Sequence, residues 1–257
     1  MDLSTFARHP GLAGQSVFIT GGGSGIGAAT VEAFLDQGSK VAFIDIDARA
    51  SEDLCDRLKS QYGHAPLFLP CDIRDIAALQ AAIARAAVEL GDIGVLVNNA
   101  ASDTRHDWQE VTPAYWDDRM AINLRPMFFA IQAVAPAMQR MGGGSIINFG
   151  SISWKKSTGG MPAYTSAKAA VHGLTRSFAR DLGGFGIRVN TVVPGWVMTE
   201  RQLKLWINEA AEKEIEAGQC LRGRIMPQDL ACMVLFLASK DAQMCSAQEF
   251  TVDGGWV

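Results

Sequence analysis

Thr20-Gly21-Gly22-Gly23-Ser24-Gly25-Ile26-Gly27 follows the apolar run Ser16-Val17-Phe18-Ile19-Thr20 and opens a helical stretch over 25–37. A glycine turn between a first strand and a helix lets backbone approach a pyrophosphate closely and take up positive φ. The helix then presents free N–H groups and the positive end of its dipole to the phosphates. Such turns are common, and it is the position between strand and helix that gives this one weight. Gly21, Ser24, Gly25, Ile26 and Gly27 are therefore expected to form the floor of a dinucleotide site. Gly142-Gly143-Gly144 is equally glycine-rich but precedes a strand, and reads as a helix stop.

Further strand candidates lie at 41–45, 67–69, 95–98, 145–149, 188–193 and 249–252. Segments with helical periodicity separate them, as at 77–90 and 114–141. Strands joined by helix-length crossovers imply βαβ units. The expected fold is α/β: a single Rossmann-like, doubly wound domain, with a seven-stranded, mainly parallel sheet and helices on both faces. No linker or composition shift divides residues 1–257, and 195–218 reads as a substrate loop or lid because it mixes Trp, Met and charges after a strand.

The chain has 257 residues, 48% of them hydrophobic, enough for a full core. A net charge of −4 with no basic stripe argues against a nucleic-acid partner. The longest apolar run, 230–238, is too short for a bilayer and follows a helix opening, Met226-Pro227-Gln228-Asp229. Residues 1–14 hold no apolar signal core. Cys55, Cys71, Cys220, Cys232 and Cys245 lack metal-ligand or C-x-x-C spacing and read as reduced thiols of a cytoplasmic protein. His9, His64, His106 and His172 are scattered, so no metal is expected.

Asp45 ends the second strand, where an acid can accept both ribose hydroxyls of an adenosine and repel a 2′-phosphate. That favours NAD over NADP. Asp72 can accept from the adenine amino group, with Ile73 adjacent, and Asn98-Asn99-Ala100 ends the fourth strand at the switch point, where ligands bind. Tyr164 and Lys168 lie four apart on one predicted helix, so the phenol and the ammonium share a face. A nearby ammonium favours the phenolate, which lets tyrosine act as a base. Ser151, just past the fifth strand, is placed to hydrogen-bond a substrate oxygen.

Glycine turn, Asn-Asn-Ala, serine after a strand and Tyr-x-x-x-Lys, in that order, resemble the single-domain short-chain dehydrogenase/reductases from about Leu12 to Val257. The resemblance implies that Tyr164 is the general acid/base, Ser151 binds the substrate oxygen, and Lys168 tunes Tyr164 and holds the nicotinamide ribose. It further implies a water-linked proton relay supported by Asn123. A carboxamide contact is implied at Pro194-Gly195-Trp196-Val197-Met198-Thr199, chiefly Pro194, Gly195, Val197 and Thr199. It also implies a homotetramer. Ala101 departs from the family's usual glycine and is expected to crowd the nicotinamide face or to alter the turn.

Several stretches are similar to one branch, the aldose 1-dehydrogenases acting on xylose, arabinose, galactose or fucose. They include Asp103-Thr104-Arg105-His106, Tyr115-Trp116-Asp117-Asp118-Arg119, Asn148-Phe149-Gly150-Ser151-Ile152-Ser153-Trp154, Gln219-Cys220-Leu221-Arg222-Gly223-Arg224-Ile225 and Asp253-Gly254-Gly255-Trp256. A monosaccharide needs polar partners and an aromatic face. Asp103, Arg105, Ser153 and Arg201 are the polar candidates, and Trp154 and Trp196 the aromatic ones; Trp108, Trp116, Trp206 and Trp256 read as packing or subunit contacts. The expected reaction is oxidation of an aldose at its anomeric carbon to an aldonolactone. The alternatives are a reductase of another ketone or a 3-oxoacyl thioester, and, more distantly, a non-catalytic NAD(H) sensor.

Overall fold

Strand β1, Ser16–Thr20, is buried at every position, because a central parallel strand is covered on both sides. Alternate residues serve opposite faces: Val17 and Ile19 join one apolar cluster and Phe18 the other. The computed structural model describes residues 6–257, so the first five residues of the 1–14 reading lie outside the described residues. The remaining strands are β2 (Lys40–Asp45), β3 (Leu67–Pro70), β4 (Val95–Asn98), β5 (Gly144–Phe149), β6 (Ile187–Pro194) and β7 (Glu249–Val252). They form one sheet in the order β3-β2-β1-β4-β5-β6-β7, with every pairing parallel. The expected doubly wound α/β sheet is present, and the chain reverses its direction of winding between β1 and β4.

Helices α1 (Gly25–Asp36) and α9 (Pro227–Ala238) cover one face together with the inner side of α2 (Ala48–Tyr62). α3 (Ile76–Leu90), α5 (Arg125–Met141) and the end of α6 (Pro162–Leu182) cover the other. The run 230–238 is a core helix as expected, and Asp229 accepts from the Met226 N–H at 2.7 Å to open it. Gly142 ends α5 with φ 73°, in the left-handed region, so the second glycine cluster is the helix stop that it resembled.

The continuous helical pattern over 114–141 is broken in two. α4 (Pro113–Asn123) ends at Leu124, whose φ of −137° and ψ of −57° leave the helical region, and α5 starts next to it. Pro126 has no N–H to continue the first helix and its ring would meet the preceding turn, so the chain bends there. The break leaves Asn123 at a helix end. Two further helices, α7 (Glu200–Leu205) and α8 (Glu209–Gly218), occupy most of the 195–218 segment.

A buried polar chain ties the elements that carry the site. Asn98 Nδ2 donates to Asn148 Oδ1 at 2.9 Å, and Asn148 Nδ2 donates to Thr175 Oγ1 at 3.0 Å. Thr191 Oγ1 donates to Thr175 Oγ1 at 2.8 Å, so β4, β5, α6 and β6 are held in one register.

The core makes a plain demand on sequence. Phe34 of α1 is fully buried, and Phe34→Ala should cost about 3–5 kcal/mol in urea unfolding. Val88→Ala, at an exposed position of α3, should stay within about 0.5 kcal/mol of the parent.

Candidate functional site

A cleft of about 930 Å³ opens where the strands end at their carboxyl edge. Gly27 explains its floor: a Cβ there would lie 1.8 Å from the Gly21 carbonyl oxygen, so only glycine lets α1 start against the turn. The first N–H groups of α1 have no carbonyl within the helix to accept them and border the cleft at Gly25, Ile26 and Gly27. Asn99 steadies the facing edge, its amide donating to the carbonyls of Thr20 at 3.0 Å and Gly21 at 2.8 Å. Ala100 and Ala101 border the cleft beside it. Ala101 is not among the non-glycine residues with positive φ, which among the described residues are Ser157 and Ala247, so its methyl requires no strained turn.

At one end Asp45 accepts from the N–H groups of Gly23 at 2.9 Å and Asp47 at 3.0 Å, which orients its carboxylate toward the cleft rim. Ile46, exposed over 76% of its surface, extends this rim as an apolar ledge. Asp72 is forked by Arg74, with contacts of 2.6 and 2.9 Å, and this hydrogen bonding holds its carboxyl below the usual range. Asp72 thus meets any adenine as an already paired carboxylate; Ile73 borders the cleft beside it. Pro194, Gly195, Val197 and Thr199 line the opposite end after β6.

There the Ser151 and Tyr164 side chains both border the cleft, near enough for the serine hydroxyl to favour the phenolate. Lys168, one helical turn beyond Tyr164, donates from Nζ to the Phe149 carbonyl at 2.7 Å and sits 5.8 Å from the tyrosine ring centroid. Asn123 stands behind this group and does not border the cleft. Its amide is spent on the loop after β4: Oδ1 accepts from Ser102 N–H at 2.8 Å, and Nδ2 donates to the carbonyls of Ser102 and Arg119. The Met127 N–H, which a continuous helix would give to Asn123, donates to Leu124 instead. The Asn123 carbonyl is thereby released from the bond that Met127 would make in a continuous helix.

A family model described as enoyl-(acyl carrier protein) reductase matches residues 21–257. A probable galactose dehydrogenase of Rhizobium meliloti is 47% identical over 249 residues, covering 97% of this chain and 97% of the relative. A D-xylose 1-dehydrogenase of Caulobacter vibrioides is 48% identical over 250 residues, covering 97% of this chain and 98% of the relative. The chain belongs to the short-chain dehydrogenase/reductase family. Among solved structures, 7α-hydroxysteroid dehydrogenase complexed with NADH and 7-oxo glycochenodeoxycholic acid is similar at TM-score 0.91 and 34% identity, covering 100% of this chain and 98% of the other.

In this short-chain dehydrogenase/reductase the substrate end of the cleft has a charged, aromatic wall. Asp103 accepts from Arg201 Nε at 3.3 Å and from Gln202 Nε2 at 2.6 Å, and Trp196 Nε1 donates to Gln202 Oε1 at 2.9 Å. These bonds tie α7 to the loop after β4. Lys156 pairs with Glu214 of α8 at 2.7 Å and lies 3.9 Å over the Trp256 ring, which stacks on Trp196. Arg105 lines the cleft and covers Trp206 at 5.2 Å, while the Ser153 hydroxyl is buried without a partner.

Two expectations need correction. Trp154 does not border the cleft: its indole turns to His172, to which it donates at 3.1 Å. Trp256, read as a packing or subunit residue, lines the cleft instead, as do Lys156, Gln202 and Glu214. The repeat spacing of residues carries no signal for these, because Trp256 arrives from the far end of the chain. The apolar Ile46 directly after Asp45 was readable as a ledge.

The electrostatics also differ from the expected tuning. Burial pushes the Tyr164 phenol up to about 12, against the lowering effects of the Ser151 hydroxyl and Arg105, with Asp103 adding to the rise. Burial lowers the Lys168 ammonium to about 7, opposed only by Asp103. Desolvation is the largest cause of both shifts, and neither group enters the other's shift, with Lys168 Nζ 5.8 Å from the Tyr164 ring centroid.

The Lys168 shift has a stability consequence. With its pKa depressed in the fold from 10.5 to about 7, the penalty is fully present below about 7 and is relieved as pH rises towards 10.5. Lys168→Met should therefore raise the unfolding midpoint at pH 6 by an amount worth a few kcal/mol, with the gap closing as pH nears 10. A gap that is flat across pH, in paired thermal melts, would contradict this origin.

Proposed function

We propose that the protein oxidises an aldose at its anomeric carbon to an aldonolactone, using NAD. The observation that carries this reading is the meeting, in one cleft, of the Ser151–Tyr164 hydroxyl pair with the glycine turn and Asp45. The sugar dehydrogenases at 47% and 48% identity support the substrate class. So does the wall of Asp103, Arg201, Lys156 and Glu214, which suits hydroxyl groups better than an acyl chain.

The residues fit a dinucleotide: the glycine cradle excludes any Cβ at Gly27, and the free N–H groups of α1 suit phosphate. Asp45 would take the adenosine ribose hydroxyls, Ile46 and Ile73 the faces of the adenine, and Thr199 the nicotinamide carboxamide. Asp45 in turn repels a 2′-phosphate, which is the ground for NAD over NADP. When bound, NAD accepts the hydride from the sugar carbon.

Tyr164 removes the proton of the anomeric hydroxyl, and Ser151 donates to the same oxygen as it becomes a carbonyl. Lys168, held by the Phe149 carbonyl, contributes its ammonium to the ribose and to the phenolate as that forms. Asn123 keeps the loop after β4 in place through Ser102, and its backbone carbonyl is the group suited to hold a relay water. Asp103, Arg105, Ser153, Trp196 and Arg201 surround the sugar, with Trp256 added to the aromatic face. Segment 195–218 acts as the lid, closed by the Asp103–Gln202 and Lys156–Glu214 contacts.

We place the enzyme in the cytoplasm as a homotetramer. Its cysteines are free thiols, and among the described residues no helix is long and apolar enough to cross a membrane. Trp108, at 70% exposure, and Phe128 are apolar surface suited to subunit contacts.

Two experiments test the reading. In NADH absorbance assays with D-xylose, L-arabinose, D-galactose and L-fucose, one sugar should turn over robustly with NAD, and Tyr164→Phe should lose about 10²–10⁴-fold of kcat while still binding NAD. Activity confined to ketones or acyl thioesters would remove the sugar. Asp45→Ala should weaken NAD about 10- to 100-fold and relax rejection of NADP; an unchanged cofactor preference would sink the Asp45 argument.

A further inference from the structure

Behind Ser151 lies a run of side chains that the chemistry above does not use. Ser151 caps the single 3-10 turn Ile152–Trp154, its Oγ accepting from the Ser153 N–H at 3.1 Å. At the far end of that turn, Trp154 Nε1 donates to His172 Nε2 at 3.1 Å, and the two rings meet edge to face with centroids 5.1 Å apart. His172 lies on α6, one turn beyond Lys168, and is only 8% exposed. Its Nδ1 is 2.7 Å from Glu249 Oε1 on β7, and Lys155 Nζ holds the other oxygen of that carboxylate at 2.8 Å. The imidazole edge also lies beneath Gly150, where a Cβ would meet Nε2 at 3.1 Å.

This geometry admits one protonation state. An indole N–H can only donate, so Nε2 must carry a lone pair, and the proton of the neutral ring sits on Nδ1, 2.7 Å from Glu249 but out of line for a hydrogen bond. An imidazolium would turn an N–H against the indole N–H and lose the bond.

We propose that His172 is a positioning residue whose neutral form, with Nδ1 beside Glu249, holds Trp154 through Nε2 and thereby fixes the turn that aims Ser151 at the substrate oxygen. The proposal rests on the reading of Ser151 as the group that binds that oxygen. Protonation of His172 releases the turn. Three charged groups face the imidazole: Glu249 of β7 favours its charging, while Lys155 of the turn and Arg176 of α6 oppose it. Burial opposes it most and holds His172 below its ordinary 6.5, so the anchor is intact at neutral pH and fails in acid.

The proposal gives Trp154 a task away from the sugar. Trp154→Phe removes the indole donor, and His172→Leu removes the acceptor. Each should lower kcat about tenfold without changing KM for NAD, and the double variant should be no worse than either single one. His172→Gln offers a carboxamide oxygen in place of Nε2 that does not titrate, and should restore kcat. Independently of any substrate, the indole ¹⁵N–H resonance of Trp154 should shift with acid in the parent, through a pKa below the usual imidazole value. In His172→Gln it should stay fixed.

A Trp154 resonance indifferent to pH in the parent would overturn the proposal, as would parental kcat in Trp154→Phe or additive losses in the double variant. If His172→Leu fails to fold, Trp154→Phe and His172→Gln still decide it. Should the protein turn over no sugar, the aldose reading fails, while the resonance titration still reads the anchor separately.

Discussion

The buried hydrogen-bond chain from Asn98 through Asn148 and Thr175 to Thr191 is the constraint on which the cleft depends. Each member is buried, so none can exchange its partner for water, and breaking one leaves a polar group stranded at a cost of about 1–3 kcal/mol. The chain runs from the end of β4, through β5, to the middle of α6 and back to β6. It therefore sets how far α6 can slide along the sheet. Tyr164 and Lys168 ride on α6, Ser151 follows β5, and Asn99 follows β4. A slip of one residue in any of these would part the Ser151–Tyr164 pair or remove Lys168 from the Phe149 carbonyl.

Given that register, the site balances burial against charge. The apolar surroundings that hold α6 in place raise the Tyr164 phenol and lower the Lys168 ammonium, both away from the charged states that proton transfer uses. The Ser151 hydroxyl and Arg105 act in the other direction on Tyr164. Arg105 is carried by the loop that Asn123 fastens and lies over Trp206, the residue that follows α7. Asp103 of the same loop binds Gln202 and Arg201 of α7. The cleft wall, α7 and the phenol electrostatics are thus linked through one short segment after β4.

Much of this was legible in the sequence, for identifiable reasons. The central parallel strands are buried and near-continuously apolar, so they could be found, and the glycine turn could be placed between β1 and α1. Helical spacing alone put Tyr164 and Lys168 on one face. What spacing does not carry is rotation and distance across the chain. Trp154 follows Ser151 closely, yet the 3-10 turn that Ser151 caps swings its indole to His172. Trp256 reaches the cleft because Gly218 leaves room for its ring: a Cβ at Gly218 would lie 2.2 Å from it. The break at Leu124 was hidden because the apolar period continues through Pro126. The pKa shifts of Tyr164 and Lys168 are set mainly by burial, which a pair of residues in sequence does not carry.

Central to the proposed reaction is a hydride leaving the carbon whose hydroxyl Tyr164 deprotonates. The most direct measurement is turnover of D-xylose deuterated at C1, with NAD, followed by mass analysis of the reduced cofactor and the sugar product. The deuterium should appear in the nicotinamide ring, turnover should be slower than with unlabelled sugar, and the product should be a lactone. Deuterium retained in the sugar product while NADH forms would place the oxidation at another carbon and contradict the assignment.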